Sequence, residues 1–144
     1  MIELDKDSIP EMNEAAMLEG LNAFAAEVHA NADDHGWWEQ DRTFPEILML
    51  CVSELSEALE EYRNGTPDVY CKEYDEDHCG NCMEYRSSCA CNGNKPEGMA
   101  IELADCIIRI LDYCGRRGID IEAAILAKHR YNKTRAYRHG GKKC

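Results

Sequence analysis

Glu54 and Glu57 stand three residues apart in Ser53-Glu54-Leu55-Ser56-Glu57-Ala58-Leu59-Glu60-Glu61, and Glu102 and Asp105 repeat that spacing in Ile101-Glu102-Leu103-Ala104-Asp105. On a helix, two acids so spaced leave one face about one turn apart. Two such helices packed antiparallel would gather four carboxylates. Gathered carboxylates repel, and burying them without compensation costs free energy or forces them to take up protons. A shared divalent cation removes the conflict. All-oxygen ligand sets suit hard ions, and Mg2+ prefers a few carboxylates together with water and phosphate oxygens. The pattern therefore points to Mg2+ and phosphate chemistry. The alternative is a solvated acidic face formed by Glu54, Glu57, Glu60 and Glu61, which is common on Glu-rich helices. The second acid pair weighs against it, because it recurs in a more apolar setting.

The elements that must position these acids read as helices. Met17, Leu18, Leu21, Phe24, Ala25 and Val28 recur at helical spacing, which predicts a first helix from about Glu11 to Asn31, broken by Asp33, Asp34 and Gly36. Thr43 and Glu46 form a capping-box pattern with Pro45 between them, so a second helix is expected from Phe44 to about Arg63, stopped by Asn64-Gly65. In it the stripe Ile47, Leu50, Glu54, Glu57, Glu61 turns acidic, while Leu48, Cys51, Leu55, Leu59, Tyr62 stays mostly apolar and reads as the buried face. A third helix is expected after Pro96-Glu97-Gly98, through about Cys114, with Leu103, Ile107, Ile110, Leu111 and Cys114 inward and Glu102, Asp105, Arg109 and Asp112 alongside. Gly115 and Gly118 are read as its stop. Asp120 then caps a fourth helix, Ile121 to about Tyr137. The fold class expected is all-α, a bundle of four to five helices in a single domain over 1–144, with an irregular cysteine-rich insertion at 66–95 between the second and third main helices.

A net charge of −12 argues against a duplex nucleic acid partner, since phosphate backbones are held mainly by Lys and Arg. From Lys128 to Lys143, however, there are seven Lys or Arg and no acid. Lys128, Asn132 and Arg135 share a helical face and can hold a small polyanion together; a mobile basic tail is the competing reading. Trp37-Trp38 precede Arg42 in a predicted loop, either as packing anchors or as a flat surface on which a base stacks. No apolar run is long enough to span a bilayer and no basic-then-apolar leader opens the sequence, so a soluble, cytoplasmic protein is expected.

Nine cysteines are many for 144 residues, and the odd count fits a complete disulfide framework poorly. Cys51, Cys106 and Cys114 fall in helical patterns as small core residues. Cys71, Cys79, Cys82, Cys89 and Cys91 crowd the insertion, where Cys79-x-x-Cys82 followed by Cys89-x-Cys91 suits structural Zn2+, with Cys71 or His78 as replacement ligands. Disulfides are the rival in an oxidising compartment.

Taken together, Glu54-x-x-Glu57, Glu102-x-x-Asp105, Lys128-x-x-x-Asn132-x-x-Arg135, His139-Gly140-Gly141-Lys142 and the Trp37-Trp38 to Arg42 approach resemble the MazG-like all-α nucleoside triphosphate pyrophosphohydrolases, over roughly residues 14 to 143. The resemblance implies Mg2+-dependent cleavage of a nucleoside triphosphate, taken to be of the deoxy series, to the monophosphate and pyrophosphate. By position it makes Glu54, Glu57, Glu102 and Asp105 the Mg2+ ligands; the chemistry of the residues then suggests Glu57 as the carboxylate that accepts the proton of the attacking water. Lys128 and Asn132, with Arg135 as a further candidate, would contact the phosphates. It also implies a homodimer or homotetramer. Two departures stand out: Ser53 occupies a position where the family often has a further Glu, with Glu61 as a candidate substitute, and the connection carrying the cysteines is longer than usual. Two other readings stay open, a zinc-stabilised helical binding module whose acids are merely solvated, and a nucleotide sensor that binds without hydrolysis.

Overall fold

The computed structural model describes residues 18–71 and 95–136, and it is helical almost throughout: α1 (Leu21–Asp34), α2 (Phe44–Asn64), α3 (Met99–Arg117) and α4 (Ile121–Lys133). The all-α expectation holds. Helix α3 is the central element, packing against α1 on one side and α2 on the other, while α4 rests chiefly on α1. Among the described residues no helix is long and apolar enough to cross a membrane.

Local signals fix most helix ends. Thr43 Oγ1 accepts from the Glu46 N–H, and the Glu46 carboxylate accepts from the Thr43 N–H at 2.6 Å, which completes the capping box. These bonds also hold the Glu46 carboxyl below its ordinary value. Asp120 Oδ1 accepts from the Ala123 N–H at the start of α4. The first helix begins later than its apolar period suggests, because Gly20, with φ 94°, turns the chain immediately before Leu21; the proposed turns before residue 18 lie outside the described residues.

Helix α4 ends at Lys133 rather than near Tyr137, with Thr134 as its cap. Asn22 clasps the starts of α1 and α4 together. Its Nδ2 donates to Asp120 Oδ1 at 2.8 Å, its Oδ1 accepts from the Ile121 N–H at 3.0 Å, and its own N–H donates to Glu122 Oε1 at 2.8 Å.

The expected insertion is pinched at its base by two short strands, β1 (Tyr70–Cys71) and β2 (Pro96–Glu97), paired antiparallel with Tyr70 opposite Glu97. Gly98 follows at φ 115°, and a Cβ there would lie 2.5 Å from the Asp68 carbonyl oxygen. Cys79, Cys82, Cys89 and Cys91, with His78, lie outside the described residues, as does His139-Gly140-Gly141-Lys142.

The buried faces match the expected ones in part: Cys51 in α2 and Leu111 and Cys114 in α3 are inward as expected, and the other inward positions are displaced by one residue. In α2 the inward seam is Ile47, Cys51, Glu54 and Ala58, whereas Leu48, Leu55, Leu59 and Tyr62 are exposed, Leu55 at 48%. In α3 the inward residues are Glu102, Cys106, Leu111 and Cys114, and Leu103, Ile107 and Ile110 face outward. A step of one residue turns a helix by about 100°, so the greasiest stripe and the interior stripe lie side by side on each rod. Cys51, Cys106 and Cys114 are buried as expected, and the Cys51 and Cys106 thiols meet across the α2–α3 seam.

Gly115 does not stop α3, which continues to Arg117 and ends at the left-handed Gly118. Instead, Gly115 lets α1 approach: a Cβ there would collide with the Ala25 carbonyl oxygen and sit 2.8 Å from His29 Cβ. Gly115→Ala is therefore expected to cost about 1–3 kcal/mol of stability by prising α1 from α3, read as a lowered urea midpoint; an unchanged midpoint would refute this close approach.

Candidate functional site

Glu54 from α2 and Glu102 from α3 meet inside the molecule, with residue exposures of 5% and 7%. Glu57, one turn beyond Glu54, completes a group in which one oxygen from each of the three carboxylates lies within 4.8 Å of the others. Helical spacing places Glu57 on the exposed side of the group. Ser53 Oγ donates to Glu57 Oε1 at 3.3 Å.

The three acids do not share their compensation evenly. Arg109 of α3 donates from Nε and Nη2 to Glu54 Oε1, each at 2.5 Å. Glu102 receives no hydrogen bond or ion pair from any described side chain. Its burial, then the charges of Glu57, Asp105 and Glu54, push its carboxyl above the ordinary range, and Lys95 offsets this in part. Asp105 is outside the convergent group but near enough to feel it. Burial and then Glu54 raise its carboxyl, while Arg109 and Lys95 pull it down. Glu61 is not a spare ligand: it accepts from Thr66 Oγ1 at 2.5 Å and from the Tyr70 hydroxyl at 3.3 Å, tying the end of α2 to the following loop.

Hard-ion geometry fits this donor set. Mg2+ holds oxygens at about 2.1 Å in an octahedron, so its ligand atoms stand about 3 Å apart when adjacent and about 4 Å when opposite. Three carboxylate oxygens within 4.8 Å of one another need only a small closure to meet that requirement. The soft thiol ligands in the vicinity, Cys51 and Cys106, are not members of the group.

A cavity of about 410 Å3 opens between α1 and α3, walled by Phe24, Val28, Ala32, Trp37 and Ile108 and edged by Glu27, Asn31, Asp112 and Arg109, the last of which links it to the acids. The adjacent tryptophans have separate duties. Trp38 is buried, its Nε1 donating to Asp112 at 2.9 Å, and the Arg116 guanidinium lies 4.5 Å from its ring centroid. Trp37 is half exposed on the cavity wall, with the Arg42 and Arg109 guanidinium carbons 5.4 and 5.6 Å from its ring centroid. In the sequence Asp112 is one member of a polar stripe. In the fold it is a hub, bonded to Trp38 and also to His29 Nδ1 at 2.8 Å. The only sequence signal for it was its spacing of seven from Asp105, which puts both on one side of α3.

The structure does not bring the expected phosphate contacts to the acids. Lys128, Asn132 and Arg135 are exposed on and just beyond α4, and Lys128 Nζ lies 5.1 Å from the Tyr131 ring centroid. The cation that does reach the acids is Arg109. Compared with known proteins, the chain matches no family model, no curated protein and no solved structure.

A buried acid whose folded-state affinity for protons is raised destabilises the fold once ionised. Glu102 binds its proton more tightly in the folded chain than in the unfolded one. Stability should therefore fall as pH rises from the ordinary value of 4.5 through the higher folded-state value. In chelator, Glu102→Gln should flatten that decline and raise stability near neutral pH by on the order of 1 kcal/mol. Parallel urea titrations across pH check this, and identical pH slopes for the two proteins would contradict it.

Proposed function

We propose that the chain is a Mg2+-dependent nucleoside triphosphate pyrophosphohydrolase of the MazG-like kind, releasing pyrophosphate and a nucleoside monophosphate. The supporting observation is the convergence of Glu54, Glu57 and Glu102 from two helices, with Glu102 buried and given no hydrogen bond by any described side chain. Such a set is stable at neutral pH only if something cationic joins it or protons do. These three residues would hold the ion, with Asp105 adjoining. When bound, Mg2+ supplies neutralisation of the triphosphate and polarises the phosphoryl group under attack.

The chain's own groups fit the remaining tasks. Glu57, on the exposed side of the cluster, can accept a proton from water. Trp37 and the apolar walls of the adjoining cavity suit a planar base, and Trp38 is reserved for anchoring α3. Phosphate contacts by Lys128, Asn132 and Arg135 rest on their shared helical face and on the sequence resemblance, and a deoxyribose preference on the resemblance alone. Structural Zn2+ on Cys79, Cys82, Cys89 and Cys91 rests on the spacing of those cysteines in the sequence, checked by metal analysis of the purified chain.

Self-association belongs to the same proposal. Leu48, Val52, Leu55, Leu59 and Tyr62 repeat at alternate spacings of four and three along the exposed side of α2, and Leu103, Ile107 and Ile110 do so on α3. A 3.5-residue apolar repeat is the seam of helices that pack against other helices. Two such seams on neighbouring rods form half of a four-helix layer, which a second copy completes with identical surfaces. Homodimer or tetramer formation would follow.

The decisive assay incubates the full chain with canonical and modified nucleoside triphosphates, with and without Mg2+, and identifies the products. Pyrophosphate and monophosphate are expected, with loss of about 100-fold or more in Glu54→Gln. Orthophosphate as the sole product, or an unimpaired Glu54→Gln, would refute the proposal. Binding without turnover would favour the sensor, and zinc with neither would favour the binding module. For the interface, Leu55→Glu together with Ile107→Glu should convert an oligomer to monomer by light scattering, and an unchanged mass would reject that surface.

A further inference from the structure

Arg109 is where three surroundings meet. Its Nε and Nη2 both grip one oxygen of Glu54, its guanidinium lies over Trp37, and its side chain edges the cavity between α1 and α3. The partners differ in freedom: the Arg109 side chain is 28% exposed and that of Glu54 only 6%. The guanidinium can swing outward on its long stem, and the carboxylate is held in place by the seam around it. Among the described residues, Glu54 alone of Glu54, Glu57 and Glu102 has a cation bound to it in an ion pair.

We propose that Arg109 is an exchangeable counter-cation, which neutralises Glu54 while the cluster holds no dication and is released toward Trp37 and the cavity when a dication takes Glu54. The inference rests on the proposed function, since it presumes that the cluster binds Mg2+. Its physical basis is competition. A guanidinium at 2.5 Å and an ion at about 2.1 Å on the same carboxylate would bring two cations close together at a site with little water to screen them. The guanidinium is the one with somewhere else to go. Trp37 already offers it a ring face, and Asp105 lies within reach of its charge. Two consequences follow: the fold tolerates the absence of metal, and the apparent affinity for the dication is lowered by the strength of the Arg109–Glu54 pair. Arg109 is thus a positioning residue, and the cavity edge acquires a freed positive charge only after the metal has bound. That order suits an anionic ligand arriving second.

The test uses the full chain and Mg2+ alone. Calorimetry gives the affinity, and tryptophan emission gives the position of Arg109, because Trp37 and Trp38 are the chain's two tryptophans and Trp37→Phe identifies which of them responds. In the wild type, emission should change along the calorimetric curve, and the change should vanish in Trp37→Phe. Arg109→Lys keeps the charge but loses the two-nitrogen grip on one oxygen, and should bind Mg2+ about threefold or more tightly than the wild type. Arg109→Met should bind more tightly again and give no Trp37 response. Removing a charge would by itself favour a dication, so the lysine variant is the deciding one, and it also covers the case in which the methionine variant does not fold. Equal or weaker binding by Arg109→Lys, or wild-type binding without a Trp37 response, overturns the exchange while leaving the proposed function standing. Failure of the wild type to bind Mg2+ at millimolar concentration overturns both.

Discussion

A seam of carboxylates between two helices is the constraint on which the rest of this protein depends. Helices α2 and α3 meet through Ile47, Cys51, Glu54 and Ala58 on one side and Glu102, Cys106 and Leu111 on the other. Small side chains let the rods come close, and the closeness denies Glu54 and Glu102 the water that would normally stabilise their charge. Arg109 answers for Glu54 at 2.5 Å. For Glu102 only the more distant charge of Lys95 offers partial compensation among the described side chains. Replacing such a seam with well-packed apolar residues is often neutral or stabilising, so the acids are not accounted for by what they contribute to the fold.

The other half of the molecule keeps that seam in place. Gly115 brings α1 within backbone contact of α3, and Asp112 binds both Trp38 and His29, so the loop after α1 and α1 itself are pinned to the same turn of α3. The central helix therefore carries acids toward α2 and an anchor toward α1, with Arg109 between them. A cavity remains between α1 and α3, and its polar edge includes the same arginine that touches Glu54. Site and scaffold are in this sense one set of contacts.

Each of the two acidic helices presents two parallel stripes one residue apart. The apolar one is the stronger hydrophobic signal, yet it faces outward on both, Leu55 at 48% exposure and Ile107 at 56%. An exposed apolar stripe on each of two adjacent rods is more than a scattering of surface leucines, and a surface of that kind generally marks an interaction site. The stripe that stays inside is the one bearing the acids.

Much was legible before any fold was known. The capping box at Thr43, the Asp120 cap, the Gly65 stop, the all-α class and the three-residue spacing of the acids within each helix follow from local rules that act within a few residues. Which stripe of α2 and α3 would be buried did not, because hydrophobic periodicity marks faces that avoid water and is silent on whether the cover comes from the same chain. Gly115 reads alike as a helix stop and as a site of close approach until another helix is laid against it, and Glu61 reads like a ligand until Thr66 and Tyr70 claim it. Sequence determined the helices, their caps and the spacing of the acids, since these depend on neighbours along the chain. Tertiary structure decided that Glu54 and Glu102 would be buried and that Arg109, not Lys128, would reach them, since burial and ion pairing depend on neighbours across space.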